Sequence, residues 1–116
     1  MKRAQPKRDW TAAREKVDEA SCCRVCGVPS NLQAAHIDGR KYDKPRGTTK
    51  ILFVDPDRIV PLCGDCHREY DAHELDLLPY LTTTEQVAVV RAMGGIEIAR
   101  NRVCGNAVRR QFEGAA

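Results

Sequence analysis

The sequence predicts a small α+β domain stapled by a bound metal, and three observations carry that prediction. Two Cys-x-x-Cys pairs, Cys23/Cys26 and Cys63/Cys66, stand with 36 residues between them. The segment they bracket reads as short strands around a loop, and amphipathic helical patterns flank it on both sides. At 116 residues the chain has the length of one domain. Hydrophobic residues make up 42% of it but aromatic residues only 5%, so large rings add little to the interior and a metal staple compensates for a thin core. The expected organisation is a helical arm over 1–21, a zinc-bound core over 22–78 and C-terminal helices over 79–116.

Asp9 can cap a helix running to about Ala20, with Trp10, Ala13 and Val17 at helical spacing on one side. Cys23-Arg-Val-Cys26-Gly27 reads as a metal knuckle, in which a tight turn lets two thiolates converge and Gly27 relieves the backbone. Leu32 to Ile37 is a short strand by composition, and the stretch from Gly39 to Thr49 is a long basic loop. Ile51 to Val54 and Arg58 to Leu62 are further strands, separated by an Asp55-Pro56-Asp57 turn. A helix should start at Gly64 or Asp65, run through Tyr70 and end before Pro79. Thr82 with Glu85, or Thr83 with Gln86, has the capping-box form, heading a helix that sets Val87, Ala88 and Val90 against Arg91. Gly94-Gly95 breaks it, and a last helix from Ile96 to Arg110 aligns Ile96, Ala99, Val103 and Ala107 on one stripe.

Zinc is the cofactor the cysteines call for. Four thiolates suit a tetrahedral Zn2+ site, and a site closed by four ligands leaves no position for an activated water. Cys22 competes in register with Cys23, and the isolated Cys104 fits a buried position better than a ligand position. A disulfide framework is the other use of six cysteines, but MKRAQPKRDW has no apolar run behind its charges, so no secretory signal is expected and a reducing cytoplasm suits the chain. No apolar run approaches the roughly 18 residues of a membrane span, which implies a soluble protein without a membrane partner.

The net charge of +3 is too small to argue for nucleic acid, so placement has to carry that argument. Basic residues cluster at Lys2, Arg3, Lys7, Arg8, Arg14 and Lys16, at Arg40, Lys41, Lys44, Arg46 and Lys50, and at Arg91, Arg100, Arg102, Arg109 and Arg110. The middle cluster directly follows His36. An acidic group, Glu69, Asp71, Glu74 and Asp76, follows His67.

Cys23-x-x-Cys26, Ala35-His36-Ile37 and the run RIVPLCGDCH from Arg58 to His67 together resemble the HNH endonuclease family, over about Cys23 to His73. The resemblance implies a ββα-metal (His-Me finger) unit with a histidine on its first strand and a metal ligand on its helix. It makes His36 the general base, His67 a ligand for a catalytic Mg2+ or Mn2+, and DNA the substrate, cut to a 5′-phosphate and a 3′-hydroxyl. His67 also competes with its neighbour Cys66 for the structural zinc, and only one of the two can face it. The sequence departs from the family at Ala35, where the family often has a further metal ligand, and at Arg58, where it has asparagine. Asp71, one helical turn after His67, ranks first as the replacement ligand, ahead of His73 and Asp38. Arg40, Lys41, Lys44, Arg46, Lys50 and Arg58 are the expected phosphate contacts. Small members of the family work in phage packaging, restriction and mobile elements, which implies a packaging or recombination partner and a host cytoplasm. A zinc-dependent DNA-binding or assembly module that has lost catalysis is the alternative.

Overall fold

A computed structural model describes residues 6–106, in the order β1 (Arg8–Asp9), α1 (Thr11–Glu19), β2 (Leu32–His36), β3 (Lys44–Pro45), β4 (Leu52–Phe53), β5 (Ile59–Cys63), α2 (Gly64–Asp71), α3 (Thr83–Met93) and α4 (Ile96–Cys104). The fold is α+β, with four helices and two small sheets among these residues. β2 and β5 form an antiparallel ribbon with Leu32 opposite Cys63 and His36 opposite Ile59. In the second sheet β4 lies between β1, which runs parallel to it, and the antiparallel β3.

Side chains alternate across a strand, and this sorts the ribbon into two faces. Ala34 and Ile59 pack with Ala13 and Val17 of α1, beside Trp10 and Val54. Ala35, Ile37, Val60 and Leu62 face the other way, into a larger cluster with Tyr70 of α2, Val89 of α3, and Ala99 and Val103 of α4. β5 is therefore covered on both sides, which is why IVPLC reads as a continuous apolar run instead of an alternating one.

The helix boundaries follow local chemistry. α1 starts after Trp10 and not after the expected Asp9, because the Asp9 backbone is already paired with Phe53. The Asp9 carboxylate still accepts the Thr11 N–H at 3.0 Å. Of the two candidate capping boxes, Thr82 with Glu85 forms. α4 ends at Cys104, and Gly105 (φ +55°) passes so close to α2's exit that an added Cβ would sit 2.7 Å from the His73 carbonyl oxygen. The expected continuation to Arg110, with Ala107, and the basic residues Lys2, Arg3, Arg109 and Arg110, lie outside the described residues. Two stripe assignments need correction. Ile96 is 70% exposed and Val87 44% exposed. The packed sides are set instead by Glu85 and Val89 in α3 and by Ala99, Val103 and Cys104 in α4. No described helix is long and apolar enough to cross a membrane.

Glu85 is the hub that fixes α3 to the rest. It is 2% exposed, accepts Lys16 Nζ at 2.6 Å and the Arg24 guanidinium at 2.8 and 3.2 Å, and accepts the Thr82 N–H at 2.8 Å. Lys16 Nζ also donates to the carbonyls of Pro56 and Ile59, both at 2.7 Å. Burial opposes ionisation of Glu85, but the bonds from Arg24, Lys16 and Thr82 outweigh it and hold the carboxyl below its ordinary value of 4.5. A depressed folded pKa means that ionised Glu85 stabilises the fold fully above the unfolded value and that this contribution is lost as pH falls through the lower folded one. Melting curves of wild type and Glu85→Gln should therefore differ most at neutral pH and converge on acidification below about pH 4.5. A gap that stays constant into acid would remove this role for the glutamate.

Candidate metal centre and histidine site

The first knuckle is built by Cys23 N–H donating to Val28 O at 2.7 Å and Gly27 N–H donating to Cys23 O at 3.1 Å, with Gly27 at φ +80°. Arg24 N–H donates to Pro61 O at 3.0 Å, which ties the knuckle to β5. Cys63 closes β5 and caps α2, and Cys66 sits in the first helical turn. The four sulfurs of Cys23, Cys26, Cys63 and Cys66 consequently lie within 4.8 Å of one another. A tetrahedral zinc with Zn–S bonds of about 2.3 Å needs sulfurs about 3.8 Å apart. Cys26 and Cys63 already stand at 3.6 Å, so the donor set fits the metal in both chemistry and size.

The electrostatics of the cluster call for a cation. Burial opposes a thiolate at Cys23, but backbone N–H groups of Cys26, Cys63 and Val25 bring its pKa down to about 6. Burial and the neighbouring sulfurs push the Cys66 thiol up. The site thus favours a thiolate at Cys23 and resists one at Cys66, and a bound dication reverses that resistance. Cys22 and Cys104 are not part of the cluster. His67 does not compete for it either: Cys66 faces the sulfurs, while His67 Nδ1 bonds Gln33 Oε1 at 2.7 Å.

His36 closes β2 on the α1 face and is 8% exposed, with the Trp10 ring edge-on at 5.4 Å. Its Nε2 lies 3.0 and 3.2 Å from the two oxygens of Asp43, whose side chain is fully buried. Asp43 also accepts Arg8 Nε at 3.0 Å and pairs with Arg58 Nη1 at 3.2 Å. Arg58 grips Asp38 with two bonds, of 2.6 and 3.1 Å, and donates to Gly39 O at 3.3 Å. Burial lowers the His36 pKa, and Arg58 adds to that, against the raising pull of Asp43 and Asp38. The balance favours the neutral imidazole.

These contacts overturn the expected role of Arg58. It is 6% exposed and saturated by two carboxylates, so it holds the loop after His36 and meets no phosphate. Asp38 is likewise committed to Arg58 and is not a metal ligand. By contrast Arg40, Lys41, Lys44, Arg46 and Lys50 are all exposed. Arg40 and Arg46 lie over the rings of Trp10 and Phe53, at 5.9 and 3.9 Å.

On the other face of the ribbon, His67 Nε2 stands 3.5 Å from Asp71 Oδ2, as their spacing of one helical turn requires. His73 follows the helix in a left-handed conformation (φ +61°), and its Nδ1 takes a 3.0 Å bond from Arg102. Arg102 also approaches Asp71 to 3.7 Å and covers the Tyr70 ring. Asp71 is thus the carboxylate beside His67, and His73 is turned to α4. Ala35, at the position where a strand ligand was missing, buries its methyl in the larger cluster. His36 and His67 are not brought together: His67 binds Gln33, three residues and about 10 Å of strand before His36, on the opposite face.

Asp43, Gln33, Arg8 and Arg102 were not legible as site residues. The single acidic residue among the basic ones from Arg40 to Lys50 was the available sign of Asp43. No family model, no curated protein and no solved structure matches this chain.

Proposed function

We propose that this chain is a zinc-stapled ββα-metal endonuclease of the HNH type that hydrolyses DNA phosphodiester bonds. The observation that carries the reading is a buried, carboxylate-held His36 at the end of the strand that leads into an exposed basic loop. The order β2, β5, α2 supports it. In this reading His36 takes a proton from a water whose oxygen bonds to phosphorus as the P–O3′ bond breaks. Arg40, Lys41, Lys44, Arg46 and Lys50 hold backbone phosphates with little sequence preference, and affinity falls with salt. His67 and Asp71 lie on the opposite face of the ribbon and take no part in this step, so a Mg2+ or Mn2+ ion supplying positive charge against the phosphate oxygens would do so on the His36 side.

Supercoiled plasmid incubated with the protein and Mn2+ tests the reading. We expect nicking, reduced about 100-fold or more in His36→Ala, the usual worth of a general base. Equal nicking by both proteins would remove His36 from the chemistry.

A second reading is favoured by the buried methyl of Ala35 and by the separation of the two histidines. Under it the chain is a zinc-dependent DNA-binding or assembly module without catalysis, recruited by a packaging or recombination protein. Salt-sensitive DNA binding with no nicking in either sample selects it.

A further inference from the structure

Asp43 reaches His36 from a loop that the family resemblance does not assign to the site. It meets three elements at once: it accepts from Arg8 of β1, bonds the imidazole that ends β2, and forms an ion pair with Arg58 before β5. The charged groups facing His36 are Asp43 and Asp38 from the loop and Arg58 from the turn before β5, with Arg8 behind Asp43; the Trp10 indole stands nearly perpendicular to the imidazole at 5.4 Å. Both arginines are obligate donors, so each claims carboxylate oxygen and neither can give a proton up. Held between them, Asp43 stays an acceptor, and the imidazole must meet it with an N–H.

We propose that Asp43 is the positioning residue of His36: it locks the ring in the Nε2–H tautomer and turns Nδ1 outward as the basic nitrogen. No group among the described residues bonds Nδ1, and no described buried polar side-chain atom is left unpaired, so Nδ1 is the ring atom open to solvent. The same carboxylate anchors the loop between Arg40 and Lys44. The phosphate-holding side chains and the base are therefore fixed relative to each other through one group. The catalytic part of this inference rests on the nuclease reading, and the tautomer does not.

The substitution Asp43→Asn separates the roles. A carboxamide offers one oxygen to three donors, and its NH2 has to face one of them. Arginine cannot accept, but imidazole can, by moving its proton to Nδ1. Long-range nitrogen–proton NMR correlations of the imidazole read this directly. Wild type should show Nε2–H at neutral pH, and Asp43→Asn should show Nδ1–H, with nicking lower by about 100-fold or more, as when a base is held in the wrong tautomer. The wild-type spectrum decides even where the variant fails to fold: an Nδ1–H ring, or a mixture of tautomers, overturns the proposal. Wild type that shows Nε2–H but never nicks removes the nuclease reading and leaves the hold of Asp43 on His36 in place.

Discussion

Chelation of zinc at neutral pH under reducing conditions should unfold this protein, with loss of both helical and near-ultraviolet circular dichroism. The magnitudes decide it. Domains of this size are stable by about 5–15 kcal/mol in total. A structural zinc held by thiolates contributes apparent binding energy of about 10–16 kcal/mol at neutral pH, which is as large as the whole margin. The four sulfurs join the knuckle after α1 to the junction of β5 and α2, beside the contacts of Arg24 with Pro61 and Glu85. Tyr70, Ile37, Ile59, Leu62 and Leu77 head the fully buried side chains, and only one of them is aromatic. Cys63→Ser should lower the zinc content below one per chain and the melting temperature with it. Cys104→Ser, buried but outside the cluster, should leave the zinc content unchanged. A purified chain without zinc that melts identically with and without chelator would end the staple reading.

Arg58→Ala destabilises the fold by about 3–5 kcal/mol, the usual cost of removing one partner from a buried ion pair. The alanine leaves Asp38 with a single described hydrogen bond, from the Gly39 N–H, and leaves Asp43 dependent on Arg8 and His36. Arg58→Lys should recover little, because an ammonium cannot reproduce the two-pronged grip on Asp38 while also reaching Asp43. Urea unfolding at neutral pH measures the loss, and a change below about 1 kcal/mol, the level of an exposed pair, would contradict the burial argument. DNA affinity supplies the contrast. Substituting exposed Lys44 or Arg46 should weaken binding and reduce its salt dependence, whereas a folded Arg58 variant should keep the wild-type salt slope.

The sequence showed what spacing alone can carry. Two pairs of cysteines located the four-sulfur cluster, the two candidate capping boxes bracketed the start of α3, and the strands read over Leu32 to Ile37 and Arg58 to Leu62 located the ribbon to within a residue. One helical turn between His67 and Asp71 likewise placed them side by side. Helix phase was harder to read. Ile96 and Val87 fit an apolar stripe by count, yet the packed side of each helix is chosen by the surfaces it meets.

Ion-pair partners were beyond the sequence for the same reason. Arg58 and Asp43 are 15 positions apart, and Glu85 lies 69 positions from Lys16. Nothing local distinguishes such charges from solvated ones until the chain has folded. What the residues by themselves determined is the set of short-range rules, namely metal-ligand spacing, strand alternation and capping, because these act within a few residues. Only the tertiary structure decided that Arg58 is a buried clasp, that Asp43 holds His36, and that the two histidines face opposite sides of the ribbon, because burial and charge pairing depend on which distant segments exclude water together.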